Sequence, residues 1–155
     1  MKKHKSSTFL ACLLVAAMLM TMLCIAPYTA SAADEEKTVF TSGDYQYSLL
    51  DDGSAEIVKY TGTSSDLKIP EELDGKKVTS IGTRAFQKSE TLTGVTIPSG
   101  ITTLGENAFN HCEKLTKLTL SEGLTEIGHG SFSYCTALEE VLMPDSVTTI
   151  KNFAF

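Results

Sequence analysis

A fixed repeat period of 23 constrains the fold of this chain more than any other feature of its sequence. Phenylalanine marks the period most clearly, because Phe86, Phe109, Phe132 and Phe155 follow one another in equal steps. Other apolar columns keep the same step: Leu92, Leu115 and Leu138; Val95, Leu118 and Val141; Ile97, Leu120 and Met143; Leu104, Ile127 and Ile150. Repetition at this length, with apolar residues in fixed columns, is the sequence signature of a solenoid.

A single repeat indicates how each coil folds. Residues 95–97 alternate apolar, polar, apolar, which predicts a short strand with Thr96 facing outward. Gly105 is expected at a corner where a Cβ would crowd or where φ is positive. Residues 106–112 are interpreted as one short helical turn that buries Phe109. We therefore predict a β-rich α/β solenoid, in which coils stack at about 4.8 Å and bury their apolar faces.

The part that precedes the regular repeats is expected to form an N-terminal cap and a first coil, over residues 45–91. Alternating runs at 45–49 and 55–60 flank an Asp-Gly dipeptide, which predicts a β-hairpin because glycine supplies the positive φ of the turn. A loop at 71–77 then lengthens the first coil. Terminal units of solenoids are irregular because they cover the end of the core. Residues 92–155 form the regular repeats, of which the last is incomplete.

Residues 1–32 have the pattern of a signal peptide. Three lysines precede an apolar run at positions 9–26, and Ala30-Ser31-Ala32 follows. A positive segment, an apolar segment and small residues in this order predict cleavage between Ala32 and Ala33. The alternative is an uncleaved membrane anchor, because a run of this length lies at the lower edge of what can span a membrane. Residues 33–44 are expected to form a flexible lead.

The charge that remains after cleavage limits the classes of partner. The whole chain has 13 basic and 19 acidic side chains, and removal of Lys2, Lys3 and Lys5 leaves 10 basic against 19 acidic, a net charge of −9. Such a surface repels phosphate backbones, so we expect no nucleic-acid partner. No later apolar run approaches spanning length. We therefore expect a secreted or cell-surface protein with no membrane insertion after cleavage.

The sequence predicts no catalytic, cofactor-binding or metal-binding residues. His111 is adjacent to Cys112, but no set of nucleophile, base and orienting group accompanies them. His111 and His129 are scattered, and the chain lacks C-x-x-C and H-x-x-x-H spacings, which metal sites often use. Cys112 and Cys135 occupy one column and are expected to be free buried thiols. A disulfide between them is the alternative, because stacked columns lie within its Cα range and export permits oxidation.

One unit of the repeat resembles a known family. Leu92-Thr-Gly-Val-Thr-Ile-Pro-Ser-Gly-Ile-Thr-Thr-Leu-Gly-Glu-Asn-Ala-Phe-Asn-His-Cys112 is similar to the unit of BspA-like bacterial leucine-rich repeats, L-x-x-[VL]-x-[IL]-P-x-x-[VI]-x-x-I-G-x-x-A-F-x-x-C. The sequence departs from that pattern at Ser89, Ser121, Ser131 and Lys151. The resemblance implies a right-handed leucine-rich-repeat-like coil and a secreted or surface-displayed protein, of a family associated with adhesion to host extracellular proteins and to other cells. It fixes no ligand and no binding residue.

The predicted function is binding of a protein or a cell-surface glycan, without enzymatic activity. Outward positions on the predicted strands vary between repeats, and repeat proteins place recognition at such positions. The candidate binding face consists of six residues: Gly94, Thr96, Lys117, Thr119, Glu140 and Leu142. The alternative is an accessory or targeting module of a larger exported enzyme, whose catalytic domain lies beyond residue 155. Because the last coil is incomplete, we expect either continuation of the chain or self-association through that coil.

Overall fold

The computed structural model describes residues 37–155. The predicted signal peptide, the cleavage site at Ala32 and Ala33 and the beginning of the predicted lead lie outside these residues. The described part contains the following strands: β1 (Val39–Ser42), β2 (Tyr45–Leu49), β3 (Ala55–Tyr60), β4 (Asp66–Lys68), β5 (Glu72–Leu73), β6 (Lys76–Ile81), β7 (Gly94–Ile97), β8 (Thr103–Leu104), β9 (Lys117–Leu120), β10 (Glu126–Ile127), β11 (Glu140–Leu142) and β12 (Thr149–Ile150).

Two sheets run along the solenoid, and each coil contributes a strand to both. One is a parallel four-stranded sheet in the order β11-β9-β7-β4. The other has the order β1-β2-β3-β6-β8-β10-β12, is parallel from β3 onward, and carries β5 beside β6. Positions one period apart are register partners, as Val95 is with Leu118 and Leu118 with Val141. This register confirms the predicted solenoid and its repeat.

The N-terminal strands correct one part of the prediction. Residues 39–42, which fall within the predicted flexible lead, form β1 and pair antiparallel with β2. The reason is local: a β-branched and aromatic run precedes a two-residue turn, in which Gly43 has a φ of 55° that glycine adopts without steric cost. Strands β2 and β3 also pair antiparallel. That this hairpin caps the core stays a prediction.

The core is a set of side-chain ladders that continue from coil to coil. In the aromatic ladder, the rings of Phe86 and Phe109 stack with centroids 4.7 Å apart, and those of Phe109 and Phe132 with centroids 5.2 Å apart. Tyr60 continues this ladder at one end, 5.2 Å from Phe86, and Phe155 continues it at the other, 5.5 Å from Phe132. Leucine, isoleucine and valine columns fill the remaining space between the two sheets.

The α/β part of the predicted fold class is wrong, because residues 37–155 contain no helix. Residues 106–112, for which the sequence predicts a helical turn, form consecutive turns. Alternate backbone N–H groups, those of Asn107, Phe109 and His111, donate to carbonyls of the next coil at 2.8–3.0 Å. Asn107 and His111 have φ values of 54° and 60°. An α-helix bonds its N–H groups to carbonyls four residues earlier in the same segment and keeps φ negative throughout, so neither condition is met here.

The corner glycine of the repeat is explained by a close approach rather than by its own φ. A Cβ on Gly105 would lie 2.5 Å from the backbone nitrogen of Thr83 in the preceding coil. Only glycine therefore allows the two backbones to approach this closely. Within residues 37–155, no helix is long and apolar enough to cross a membrane.

Candidate functional site

The strand face is the outward side of the four-stranded sheet formed by β4, β7, β9 and β11. All six residues predicted as the binding face belong to β7, β9 and β11. The parallel register places Gly94, Lys117 and Glu140 in one column. A second column, two residues further along each strand, contains Thr96, Thr119 and Leu142. The structure therefore brings the predicted residues together in two lines that cross the strands.

Gly94 differs from the other five residues of the strand face, because it is buried. A Cβ on Gly94 would lie 2.7 Å from Oδ1 of Asp66, so the carboxylate of Asp66 covers the position. Gly94 is the register partner of Asp66 in β4. The exposed group at this point of the face is therefore Asp66, and Gly94 provides the space in which its side chain lies.

Strand β4 adds residues that the sequence analysis did not include. Asp66 extends the column of Lys117 and Glu140, and Lys68 extends the column of Thr96 and Thr119. The signal that could have identified them was weak, because Leu67 and its register partner Val95 are further apart in sequence than one period of the regular repeat. The longer first coil thus hid two charged side chains of the same face.

Some polar groups of the strand face contact each other, whereas others have no partner within the fold. Lys117 Nζ lies 3.3 Å from Glu140 Oε2, and both side chains are about half exposed. In the part of the chain that the structure describes, the hydroxyls of Thr96 and Thr119 have no protein partner, whereas the hydroxyl of Thr116 donates to the backbone oxygen of Thr93 at 3.0 Å. Thr96 and Thr119 can therefore donate hydrogen bonds to a ligand, or accept them, without breaking a contact of the fold.

The residues considered for chemistry lie in separate environments. His111 Nδ1 lies 3.4 Å from Glu113 Oε1, and its ring stacks on Tyr134 with centroids 4.4 Å apart. The thiol of Cys112 is buried and donates to the backbone oxygen of Phe86 at 3.2 Å. The neighbouring thiol of Cys135 and burial hold the pKa of Cys112 above its usual value, which disfavours the nucleophilic thiolate.

Cys112 and Cys135 are free buried thiols in the structure. Cys135 repeats the contact of Cys112 one coil later, donating to the backbone oxygen of Phe109 at 3.2 Å. Among residues 37–155, no group of three or more histidine, cysteine and carboxylate side chains is arranged to hold a metal ion.

Comparison with known proteins identifies the repeat. The sequence pattern of the BspA type leucine-rich repeat region matches residues 58–155, in six copies. No curated protein matches the chain. Among solved structures, a leucine-rich repeat protein of T. pallidum is 32% identical with a TM-score of 0.68, over 73% of this chain and 53% of that protein. A leucine-rich repeat protein of Bacteroides capillosus is 31% identical with a TM-score of 0.68, over 75% of this chain and 89% of that protein.

A third similar structure is a leucine rich cell surface protein of Faecalibacterium prausnitzii. It is 29% identical with a TM-score of 0.50, over 79% of this chain and 47% of that protein. The chain thus spans about half the length of the T. pallidum and F. prausnitzii proteins. The match of the repeat pattern covers more than half of the chain, and the register of the sheets agrees with it. The chain therefore belongs to the family of BspA-type leucine-rich repeat proteins.

Proposed function

We propose that this chain is a secreted or cell-surface binding module that recognises a protein partner through the strand face. The observation that carries the proposal is the register of β4, β7, β9 and β11, which aligns outward side chains from successive coils in two columns. The opposite side of the same strands is buried in the core, as Leu118 and Leu120 are in β9. A packed core holds the outward side chains in fixed positions, and preorganisation of this kind reduces the entropy cost of binding.

The chemistry of the strand face favours a protein over a polyanion. Asp66 and Glu140 balance Lys68 and Lys117, so the face has no net charge to attract a highly charged ligand. Leu142 is 48% exposed and lies in one column with two threonines whose hydroxyls are available. An apolar contact beside hydrogen-bonding groups is typical of protein interfaces. Binding should therefore depend only weakly on salt concentration.

Two observations support export of the chain. The leader pattern at residues 1–32 predicts secretion, and one protein of similar structure is a cell surface protein. For a module in that compartment, the resemblance to BspA-like repeats implies adhesion to host extracellular proteins or to other cells. We include adhesion in the proposal on this basis.

The alternative function is that of an accessory or targeting module in a larger exported enzyme. It is compatible with the lengths of similar proteins, because this chain spans 31% of a leucine-rich repeat protein of Bacteroides ovatus that is 29% identical. Repeats of this kind therefore occur within longer chains. In the alternative, the strand face would bring a catalytic domain to its target, and removal of the face would lower activity only on that target.

The test uses two arginine substitutions in the same coil. Thr119→Arg places a long cation on the strand face, whereas Thr125→Arg places the same side chain at an exposed position beside the other sheet. Both variants and the parent protein, secreted from the full coding sequence, are passed over immobilised extracellular-matrix proteins and, in parallel, over purified peptidoglycan. We expect binding to a matrix protein that Thr119→Arg weakens at least about tenfold, a loss of about 1.4 kcal/mol, and that Thr125→Arg leaves unchanged.

Three results would contradict the proposal. Absence of binding to every surface would remove the adhesive function, and an equal loss in both variants would remove the strand face as the site. Binding to peptidoglycan alone would replace the protein partner by a glycan. Thermal unfolding of both variants must match that of the parent, because a face that fails through misfolding would not report on recognition.

A further inference from the structure

A depression of about 530 Å³ lies on the turns that precede β7 and β9, outside the strand face. Its lining residues are Lys88, Ser89, Glu90, His111, Glu113 and Lys114. We call it the charged depression, because all of them except Ser89 carry titratable side chains. Its volume lies within the range of about 300–1,000 Å³ that small-molecule sites occupy. Two lysines and two glutamates give it balanced charge of both signs.

The backbone that forms the charged depression is fixed in an unusual conformation. Lys88 and His111 have φ values of 59° and 60°, a left-handed conformation that costs a residue with a side chain about 1–2 kcal/mol. Their N–H groups donate to the oxygens of Asn110 and Ser133 in the adjacent coils, at 2.8 and 2.9 Å. Because these bonds hold successive coils in the same conformation, the two side chains leave the solenoid from equivalent, fixed positions.

One wall of the charged depression is an aromatic ring with its orientation set on two sides. Tyr134 stacks on His111 with an interplanar angle of 4°, and Glu113 contacts the imidazole nitrogen at 3.4 Å. Tyr134 belongs to the following coil, and the depression lies between His111 and the preceding coil that carries Lys88. Tyr134 covers one face of the imidazole and His111 lines the depression, so the opposite face is the one that we assign to a ligand.

Three of the charges around this surface have no ionic partner. Within residues 37–155, Lys88, Glu90 and Lys114 form no ion pair. The fold does not require charge at these positions either, because the next coil has Thr136 and Ala137 where this one has Glu113 and Lys114. A free ammonium and a free carboxylate beside one flat ring form a set of complementary contacts for a ligand that carries both charges.

We propose that the charged depression binds a small zwitterion of the α-amino-acid class with a planar side chain. The carboxylate of the ligand accepts hydrogen bonds from both Lys88 and Lys114, its ammonium donates to Glu90, and its planar group lies on His111. A polyanion would meet the two carboxylates, and a simple cation would meet the two ammonium groups, so ligands of a single charge sign are disfavoured. This inference is independent of the strand face and of the proposed adhesive function.

The test is a titration of the protein, secreted from its full coding sequence and labelled with nitrogen-15, followed by nuclear magnetic resonance. Phenylalanine is the zwitterionic probe, 3-phenylpropionate lacks the ammonium, and 2-phenylethylamine lacks the carboxylate. We expect saturable shifts at the lining residues with phenylalanine, and binding about tenfold weaker or more with each analogue. The dipeptide Phe-Phe, tested in parallel, distinguishes a short peptide from a free amino acid as the source of the zwitterion.

Matched variants locate the site. Glu90→Gln and Lys114→Gln should each weaken phenylalanine binding about tenfold, the loss of one charge-assisted hydrogen bond. Glu122→Gln and Lys76→Gln make the same changes at exposed positions outside the depression and should have no effect. Shifts that do not saturate, analogues that bind as tightly as phenylalanine, or equal losses in the control variants would each overturn the proposal. Loss of adhesion with Thr119→Arg would leave the titration unchanged.

Discussion

Truncation of Phe109 to alanine should remove a large share of the stability of this solenoid. The ring is 0% exposed and is stacked on both faces, by Phe86 at 4.7 Å and by Phe132 at 5.2 Å. Phenylalanine-to-alanine changes in cores cost about 3–5 kcal/mol. We expect about 5 kcal/mol here, the top of that range, because coils on both sides lose contacts and neither can close the cavity alone.

The measurement is urea unfolding followed by far-ultraviolet circular dichroism and tyrosine fluorescence, since the chain has no tryptophan. A domain of this size has a total stability of about 5–15 kcal/mol, so Phe109→Ala should unfold at a much lower urea concentration. The control is Phe40→Ala in β1, where the ring is 40% exposed and a loss of about 1 kcal/mol is expected. A cost below about 2 kcal/mol for Phe109→Ala, with an unchanged m-value, would refute the account of the core as a continuous aromatic ladder.

Three further predictions concern backbone strain, pH and thiol reactivity. Gly130→Ala should lower the free energy of unfolding in urea by about 2 kcal/mol, because φ is 61° and the new Cβ would contact Oδ1 of Asn107. Gly43→Ala, where φ is 55° and the space is open, should lower it by only about 1 kcal/mol. Equal losses would show that the contact with Asn107 is unimportant. Burial raises the pKa of Tyr45 from 10.0 to about 12, so its contribution to stability is complete below pH 10 and is lost as the pH rises toward 12. Tyr45→Phe should remove this part of the pH dependence of the urea midpoint. A pH profile that the substitution leaves unchanged would contradict this prediction. The buried, protonated thiol of Cys112 should react with iodoacetamide only after unfolding, and alkylation of the native protein at the rate of a free cysteine would refute this.

The repeat and its core could be predicted from sequence because one column of residues has one structural role. A residue such as Leu118 recurs as an apolar side chain once per period, and the register pairs it with Val95 and Val141. The pattern of the sequence is therefore directly the pattern of the stacking. Strand β9 and its neighbours follow from the alternation of apolar and polar residues alone.

The turn segment at residues 106–112 could not be predicted in the same way. Its buried Ala108 and Phe109 have a spacing that is also compatible with a helical turn, and the sequence does not show where the backbone donors go. The N–H groups of alternate residues bond to the next coil, an interaction that exists only when the coils are stacked. The left-handed φ of His111 is equally hidden, because positive φ is uncommon even for histidine, one of the residue types that adopt it more often than most.

The sequence predicted most residues of the strand face, but it did not predict that Gly94 is buried. Thr96, Thr119 and Leu142 follow from alternation on each strand, and their alignment follows from the repeat. The burial of Gly94 under Asp66 depends on the longer first coil, which breaks the regular period at that point. The errors thus lie where a contact between coils, or a departure from the period, decides the structure.

The inward columns of residues stabilise this solenoid, and the outward columns are available for recognition. Inward columns are limited to apolar side chains and to a few small residues, since each must pack against the same position of the adjacent coil. Outward columns are free of that requirement, so Lys117 can lie beside Glu140 on one surface, while Lys114 and Glu90 have no ionic partner among residues 37–155 on another. Because each coil contacts only its neighbours, a substitution at an outward position changes one surface and leaves the stack intact. Recognition by this chain therefore has to be sought in the chemistry of the outward columns, which the repeat that defines the family does not determine.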